Sequence, residues 1–441
     1  MIDFEEKDRE TSYEQAMQIA QMIFPLHRSI TGEGIDAAFE ILKDQVGCKI
    51  YEFPSFTDIL SWTVPQSWRC IKVSVKHVKS GLELFDFDTP LRIASHSNAF
   101  SGTILGRELK LHCKVSHQAH SIMHQYRYYD DEWFISLTEA EYSSIIDDDE
   151  YNVNVHTEHY EGSLKVAEKI HKGDTDVEVA FLSHLCHPAQ FNDGLVGVLL
   201  NIYIYFLLKN KKTHFSYKFL FMPETIGSIA YCSEHKNIKN INSAIFTEMI
   251  ALDQPLHIQE SASNKDFINS YLKLADRELN LNARFSPFLS VIRNDEKVFN
   301  SPGIDIPTAS VTRALGREFP DHPYRTYHTH FDDIDSANIE KLKESLSFIE
   351  TLIKIIESDK IVRRQFTGIP MLSKVGLFFD PAVNRDKYNL SERLVWLIAK
   401  PTTIAEIALQ TEYNFSEINK MIRDWETAGL VKLEKINDFN R

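Results

Sequence analysis

The stretch Val179-Ala180-Phe181-Leu182-Ser183-His184-Leu185-Cys186-His187-Pro188, followed by Phe191-Asn192-Asp193-Gly194, decides how this chain is read. An apolar run stops at two histidines and a proline, and an Asn-Asp-Gly turn follows. Buried His and Asp side chains are costly without partners, so the carboxyl end of this strand must open into a polar pocket. Open α/β sheets place their ligand sites at such strand ends. Imidazoles and a carboxylate arriving together are also ligand types that zinc takes. A single histidine would more often be a satisfied core residue. Two histidines, an aspartate and matching groups downstream point to a metal site.

Three downstream segments supply those groups. Phe219-Leu220-Phe221-Met222-Pro223-Glu224-Thr225-Ile226-Gly227-Ser228 runs from an apolar strand into one carboxylate and then a helix start. Ala244-Ile245-Phe246-Thr247-Glu248-Met249-Ile250 reads as a strand with an embedded acid. Tyr327-His328-Thr329-His330-Phe331-Asp332-Asp333 is read as a further strand end. Together these ends offer His/Asp, Glu, Glu and His/Asp within one α/β pattern.

Bulk properties narrow the class. At 441 residues, 43% hydrophobic and 25% charged, the chain suits a globular protein of two or three domains. A formal charge of −15 argues against a phosphate-backbone binder, so nucleic acid is not an expected partner. Cys48, Cys70, Cys113, Cys186 and Cys232 are widely spaced and odd in number, which suggests reduced thiols and a cytoplasmic setting. The acidic start, Met1 to Asp8, has no apolar core and is not a secretory signal. Leu195 to Leu208 is apolar but contains Asn201 and is shorter than the roughly 20 residues a span needs. It is expected to be a buried helix, and no membrane partner is expected.

Tyr13 to Phe24 and Gly34 to Val46 read as amphipathic helices around the loop Arg28-Ser29-Ile30-Thr31-Gly32-Glu33-Gly34. That loop is either a helix-ending turn or a place where Arg28 meets a substrate carboxylate, and Arg313 is the other candidate substrate-binding cation. From Phe56 to Val115 short β-branched and aromatic runs alternate with turns: Ile71 to Val78, Leu82 to Phe87, Pro90 to Ser95 and Gly102 to Ile104. We read residues 56–115 as an inserted small β domain able to roof a pocket. Residues 1–55 and 116–367 then form one α/β domain, with Val153 to His156 among its strands and Leu342 to Glu357 as its closing helix. After a Gly/Pro linker, residues 384–441 read as three helices, Ser391 to Ala399, Thr403 to Leu409 and Phe415 to Ala428, and a strand from Leu430 to Leu433. This is a winged-helix pattern, but Glu406, Glu412, Glu417, Asp424 and Glu426 leave little positive face for phosphates, so protein contact or dimerisation is expected instead.

The order His then Asp after one strand, Glu before a Gly-Ser helix start, an acid-Met-Ile strand and a late Tyr-His-Thr resembles the co-catalytic zinc aminopeptidases. Arg28 to Gly34, Trp62-Thr63-Val64-Pro65, the His-x-x-His-Pro and Asn-Asp segment, Pro223 to Ser228 and Tyr327-His328-Thr329 resemble more closely a bacterial aminopeptidase-like family with a C-terminal winged helix. The resemblance covers nearly the whole chain. It implies a zinc-aminopeptidase-like mixed sheet flanked by helices, and one or two zinc ions. It implies Asp193 as the carboxylate bridging two ions, His184 or His187 as the first ligand, Glu248 in an aspartate ligand's place and His328 as the last ligand. Tyr327 matches a donor to the oxyanion, and His330 and Asp332 are expected to brace the ligands. The sequence departs from the pattern in two ways. Cys186 stands where the brace of the first ligand is an aspartate, and Glu224 stands alone where the family has two adjacent glutamates, so it is either the base or a ligand.

The resemblance implies a zinc-dependent amide hydrolase acting on a small peptide or other amide, in surface-polysaccharide biosynthesis, and a homo-oligomer is the expected assembly. The alternative is a degenerate peptidase fold that binds a ligand and regulates through its winged helix. A transcription factor with a vestigial body is a third reading, disfavoured by the acidic C-terminus.

Overall fold

The computed structural model describes residues 2–116, 118–263, 267–316 and 322–437. Residues 438–441, expected in the C-terminal domain, lie outside the described residues. At the centre is an eight-stranded mixed sheet in the order Lys49–Pro54, Ser163–His171, Ser216–Met222, Glu178–His184, Ile241–Thr247, Thr308–Thr312, His257–Gln259 and Arg284–Ser286. The four middle strands run parallel, and antiparallel neighbours flank them on both sides. Strands covered on both faces should read as unbroken apolar runs. Glu178–His184 and Ser216–Met222 are buried at every position, as that rule requires.

The Asn-Asp-Gly turn leads into the helix Val196–Leu208, which packs on the strand ending at His184. The apolar window Phe191–Leu208 is 89% buried, so its composition reflects a core position. There Asn201 Nδ2 donates to Ser183 Oγ.

The β region pairs differently from its sequence reading. Val153 to His156 belongs to the long strand Glu150–Tyr160, which pairs with Ser67–His77 and Phe100–Leu105 and not with the main sheet. The strands Ser67–His77 and Phe100–Leu105 thus pair with a strand that lies outside residues 56–115. Burial alternates along Glu150–Tyr160, the signature of a sheet covered on one face. Leu82 to Phe87 and Pro90 to Ser95 form no strand. The first contributes one isolated bridge, Lys76 to Glu83, and the second a 3₁₀ turn over Pro90–Arg92.

At the C-terminus, helices occupy Arg385–Leu397, Ile404–Thr411 and Phe415–Thr427, and a strand occupies Val431–Glu434. Ile361–Arg364, placed in the α/β domain by the sequence reading, pairs instead with Thr402–Thr403 and Val431–Glu434. Leu394, Ile407 and Trp425 share one apolar core with the body. Arg277 donates to the carbonyls of Ala408 and Tyr413, fastening the unit from the helix Phe267–Leu279. Asp359 is the buried polar joint. It accepts from Lys360 N, Ala405 N and Tyr271 Oη at 2.9–3.0 Å.

Burial pushes the Asp359 carboxyl up to about 6, against a pull downward from these donors. Its folded pKa lies above the ordinary 3.8, so the stability it contributes is present below about pH 4 and is lost as pH rises through 6. Asp359→Ala removes the acceptor of three hydrogen bonds, two of them buried, and should cost on the order of 3 kcal/mol. Asp359→Asn should cost far less at pH 7.5 and flatten the pH dependence, as urea melts between pH 4 and 7.5 would reveal.

Candidate metal centre

Parallel pairing gathers the site. His184 ends its strand opposite Met222, and Leu182 lies opposite Phe246. Glu224, two residues past Met222, and Glu248, just past Thr247, therefore emerge beside His184. Asp193 comes from the turn below, where Gly194 adopts φ +101°. A Cβ on Gly194 would lie 2.8 Å from the His184 ring, so only glycine lets Asp193 and His184 approach this closely. His328 is not at a strand end, as the sequence reading had it. It sits in a turn with φ +57°, held by the bridge between Met123 and Thr329 and by the His124 N–H donating to the His328 carbonyl.

His184 Nε2 lies 2.9 Å from Glu248 Oε2 and 3.7 Å from Asp193 Oδ1. His328 Nε2 lies 2.8 Å from Asp193 Oδ2, and His187 Nε2 lies 3.5 Å from Glu224 Oε2. The ligand atoms of His184, Asp193 and Glu248 fall within 4.8 Å of one another, and so do those of His187, Asp193 and His328. Asp193 belongs to both triads and turns one oxygen toward each. The structure thus brings together all five sequence-derived ligand candidates, and His184 and His187 take different places. A third grouping, His184, Cys186, His187 and Glu224, overlaps these two.

Glu248 Oε1 is buried without a hydrogen-bond partner, and Asp193 Oδ2 faces His328 Nε2 at 2.8 Å. An orphaned buried acceptor is costly in a folded protein, and a cation beside it removes the cost. The donor set, all imidazole and carboxylate in both triads, fits zinc.

The charges are arranged to match. Burial works against Asp193, yet the surrounding His187, His328 and His184 hold its carboxyl well below the usual range. Burial also opposes charge on His184, but the Cys186 thiol and the Glu248 carboxylate outweigh it and hold the imidazole well above its ordinary value. Cys186 lies among these groups, with its Sγ 3.6 Å from His187 Nδ1. Burial pushes Glu224 up to about 7, with His184 opposing the shift and Asp193, Asp295 and Glu248 adding to it. Tyr327 stacks on His328 with ring centres 3.9 Å apart, and burial keeps its phenol protonated well above the ordinary range.

The supports behind these groups are mostly tertiary. Asp332 accepts from Asn192 N, Asn192 Nδ2, Asp193 N and Tyr324 Oη, which fixes the turn carrying Asp193. His330 Nδ1 accepts from Ile122 N. Asn294 donates to Glu248 Oε2 at 2.9 Å, and Asp295 accepts from Thr225 N and Ser228 Oγ. The sequence reading missed Asn294, Asp295 and His124. The one available signal for the first two was the polar run Arg293 to Glu296 ahead of apolar Val298 and Phe299.

Neither candidate substrate-binding arginine reaches the pocket. Arg28 is fully buried beneath the metal loop, where its Nη2 donates to the carbonyls of His187 and Gln190. Arg313 is fully buried too, clamping the carbonyls of Ile250 and Gln254, the Ser345 hydroxyl and Glu344. Guanidinium's several fixed donors suit it to tying loops together, and here that use excludes contact with a ligand. The cations that do line the pocket are Arg127 and Lys297. This pocket has a volume of about 540 Å³ and has Cys186, His187, Glu224, Tyr327 and His328 on its wall. Trp62, Tyr126 and Tyr129 form its aromatic rim.

Comparison with known proteins agrees with this geometry. Residues 17–359 match the family described as a domain of unknown function, DUF4910. A protein from Clostridium acetobutylicum, named for polysaccharide biosynthesis and an aminopeptidase-like domain, is 30% identical over 82% of each chain. A crystal structure from the same organism, named as a candidate peptidase, superposes with a TM-score of 0.85 at 26% identity over 97% of each chain. A zinc aminopeptidase from Bacillus subtilis superposes with a TM-score of 0.57 at 10% identity, covering 80% of this chain and 95% of its own, a likeness of fold alone.

Gly194→Ala tests the close approach that builds the site. The left-handed backbone and the clash with His184 should cost roughly 2–4 kcal/mol. Urea unfolding should show the loss, and the His184 ring should move, visible as a shifted imidazole resonance.

Proposed function

The chain belongs to the DUF4910 family, and we propose that this member is a zinc-dependent hydrolase of an amide bond. The observation that carries the reading is the shared carboxylate, with the Asp193 oxygens facing two separate ligand triads. Under it, His184, Asp193 and Glu248 would hold one ion, and His187, Asp193 and His328 would hold a second. His187 takes the place that a second glutamate would fill, which leaves Glu224 free of ligand duty. Zinc at such a site polarises the scissile carbonyl and brings the pKa of bound water toward neutrality.

The protein's own groups do the rest. Glu224, raised by burial and open to the pocket for 32% of its side chain, accepts the proton of the attacking water. It returns that proton to the amide nitrogen as the carbon–nitrogen bond breaks, giving a carboxylate and an amine. Tyr327, kept protonated, donates to the developing oxyanion. Arg28 and Asp332 hold the loops that carry His187 and Asp193 and take no part in the chemistry.

A small peptide or an amide on an amino sugar is the substrate class we favour. The relative's name supports the sugar, and flat aromatic faces beside charged hydrogen-bonding groups suit a sugar ring. The five cysteines, all unpaired, support a cytoplasmic setting. We read the C-terminal unit as a winged helix that contacts protein, in a homo-oligomer, because the outer face of Phe415–Thr427 mixes Glu417 and Asp424 with Lys420 and Arg423. Salt-sensitive, submicromolar DNA binding would overturn that last assignment.

Elemental analysis should find up to two zinc ions per chain, His187→Ala should retain one, and Asp193→Ala with His328→Ala should retain none. Undiminished zinc in the double variant would sink the reading, and a zinc-free wild type would favour a ligand-binding regulator. Glu224→Gln should keep its zinc and lose roughly 10²–10⁴-fold in amide hydrolysis.

A further inference from the structure

Glu224 stands on an unusual turn. The next residue, Thr225, has φ +61° and ψ −60°, and the Ile226 N–H donates to the Glu224 carbonyl at 2.6 Å. This three-residue turn is rare and strained, more so for a β-branched residue. Strain of this kind persists where the surroundings enforce it, and it clusters at working sites.

The enforcing group is Asp295. Its Oδ1 accepts the Thr225 N–H at 2.8 Å and the Ser228 hydroxyl at 2.5 Å, so it grips the turn and the first part of the helix beyond it. Asp295 has no exposed surface, and its Oδ2 is buried without a hydrogen-bond partner. Asp295 begins the short helix Asp295–Phe299, yet its carboxylate reaches across to another element. Its neighbour Asn294 meanwhile donates to Glu248 at 2.9 Å. Glu296 accepts from Asn294 N and from Gln259 Nε2, which fixes this segment to the strand His257–Gln259. A role confined to stability would not require a half-satisfied buried carboxylate, since such a group costs free energy in the fold.

We propose that Asp295 is a positioning residue for the reaction. It holds the strained Thr225 turn and thereby aims the Glu224 carboxylate at the reacting water, while Asn294 beside it aims Glu248. The inference rests on the hydrolase reading for its consequence in turnover, and on the geometry of the turn for everything else. Asp295 touches neither substrate nor ion.

The test uses the full chain loaded with cobalt(II), whose visible absorption responds to the groups around the ion. Wild type, Glu224→Gln, Asp295→Ala and Asp295→Asn are compared at equal cobalt content across pH. Asp295→Ala should bind cobalt at wild-type stoichiometry and shift the pH midpoint of the spectrum in the same direction as Glu224→Gln. With L-leucine p-nitroanilide and N-acetylglucosamine as probes, it should lower kcat roughly 10- to 100-fold, a part of what loss of the base costs, with KM nearly unchanged. Asp295→Asn keeps an acceptor oxygen for Thr225 and Ser228 and should recover most of that loss. If Asp295→Ala does not fold, Asp295→Ser serves, its hydroxyl being too short to reach Thr225. An unaltered spectrum in the alanine or serine variant, or a loss of bound cobalt, would overturn the proposal. A wild type that binds cobalt and cleaves neither probe would count against the hydrolase reading, and the spectral comparison would still decide the role of Asp295.

Discussion

The structure depends on one carboxylate being approachable from two sides. Asp193 turns Oδ1 toward His184 and Oδ2 toward His328, and neither orientation survives a small displacement of its backbone. The turn that carries it is therefore held on every side. Gly194 removes the side chain that would collide with His184, and Asp332 takes the N–H groups of Asn192 and Asp193. Arg28 gathers the carbonyls of His187 and Gln190 from beneath. Most of what surrounds the centre is scaffolding for that single geometry.

The same crowding makes the site electrostatically expensive. His184, Asp193, Glu248, Asp295 and Asp332 are all buried, and burial alone would drive each toward neutrality. Asp193 is kept ionised by three imidazoles, whereas Asp332 is pushed up to about 6 by burial and depends on its hydrogen bonds. A fold with a net stability of only about 5–15 kcal/mol can carry such a cluster only where something compensates it. The two overlapping triads around Asp193 could supply that compensation by holding a cation, and Glu248 Oε1 lies beside them without a partner.

The peripheral units are tied into this centre. Met123 bridges to Thr329 beside His328, and Trp62 shapes the pocket rim. Helices of the C-terminal unit share the main apolar core and hang on Arg277 and Asp359. Change at either periphery can thus reach the site through packing, because close-packed interiors transmit displacement.

The sequence by itself determined the fold class and pointed to residues that the structure gathers into one cluster. Apolar runs that stop at His184, Glu224 and Glu248 mark strand ends, and inside the two-sided sheet ionisable groups occur as the buried Lys218–Glu178 pair. His187, Asp193 and His328 were legible by residue type and order. Only the tertiary structure decided their places: His184 and His187 fall in different triads around Asp193, and Glu224 lies 3.5 Å from His187. The reversal of Arg28 and Arg313 from ligand binders to loop clamps, and the gripping of Thr225 by Asp295, were likewise invisible in the chain. Strand patterning is local, so periodicity reports it. A carboxylate 70 residues from the turn it holds leaves no local trace. The same reason explains the strand Glu150–Tyr160, whose alternation was legible in kind but whose sheet was chosen by distant partners at Ser67–His77 and Phe100–Leu105.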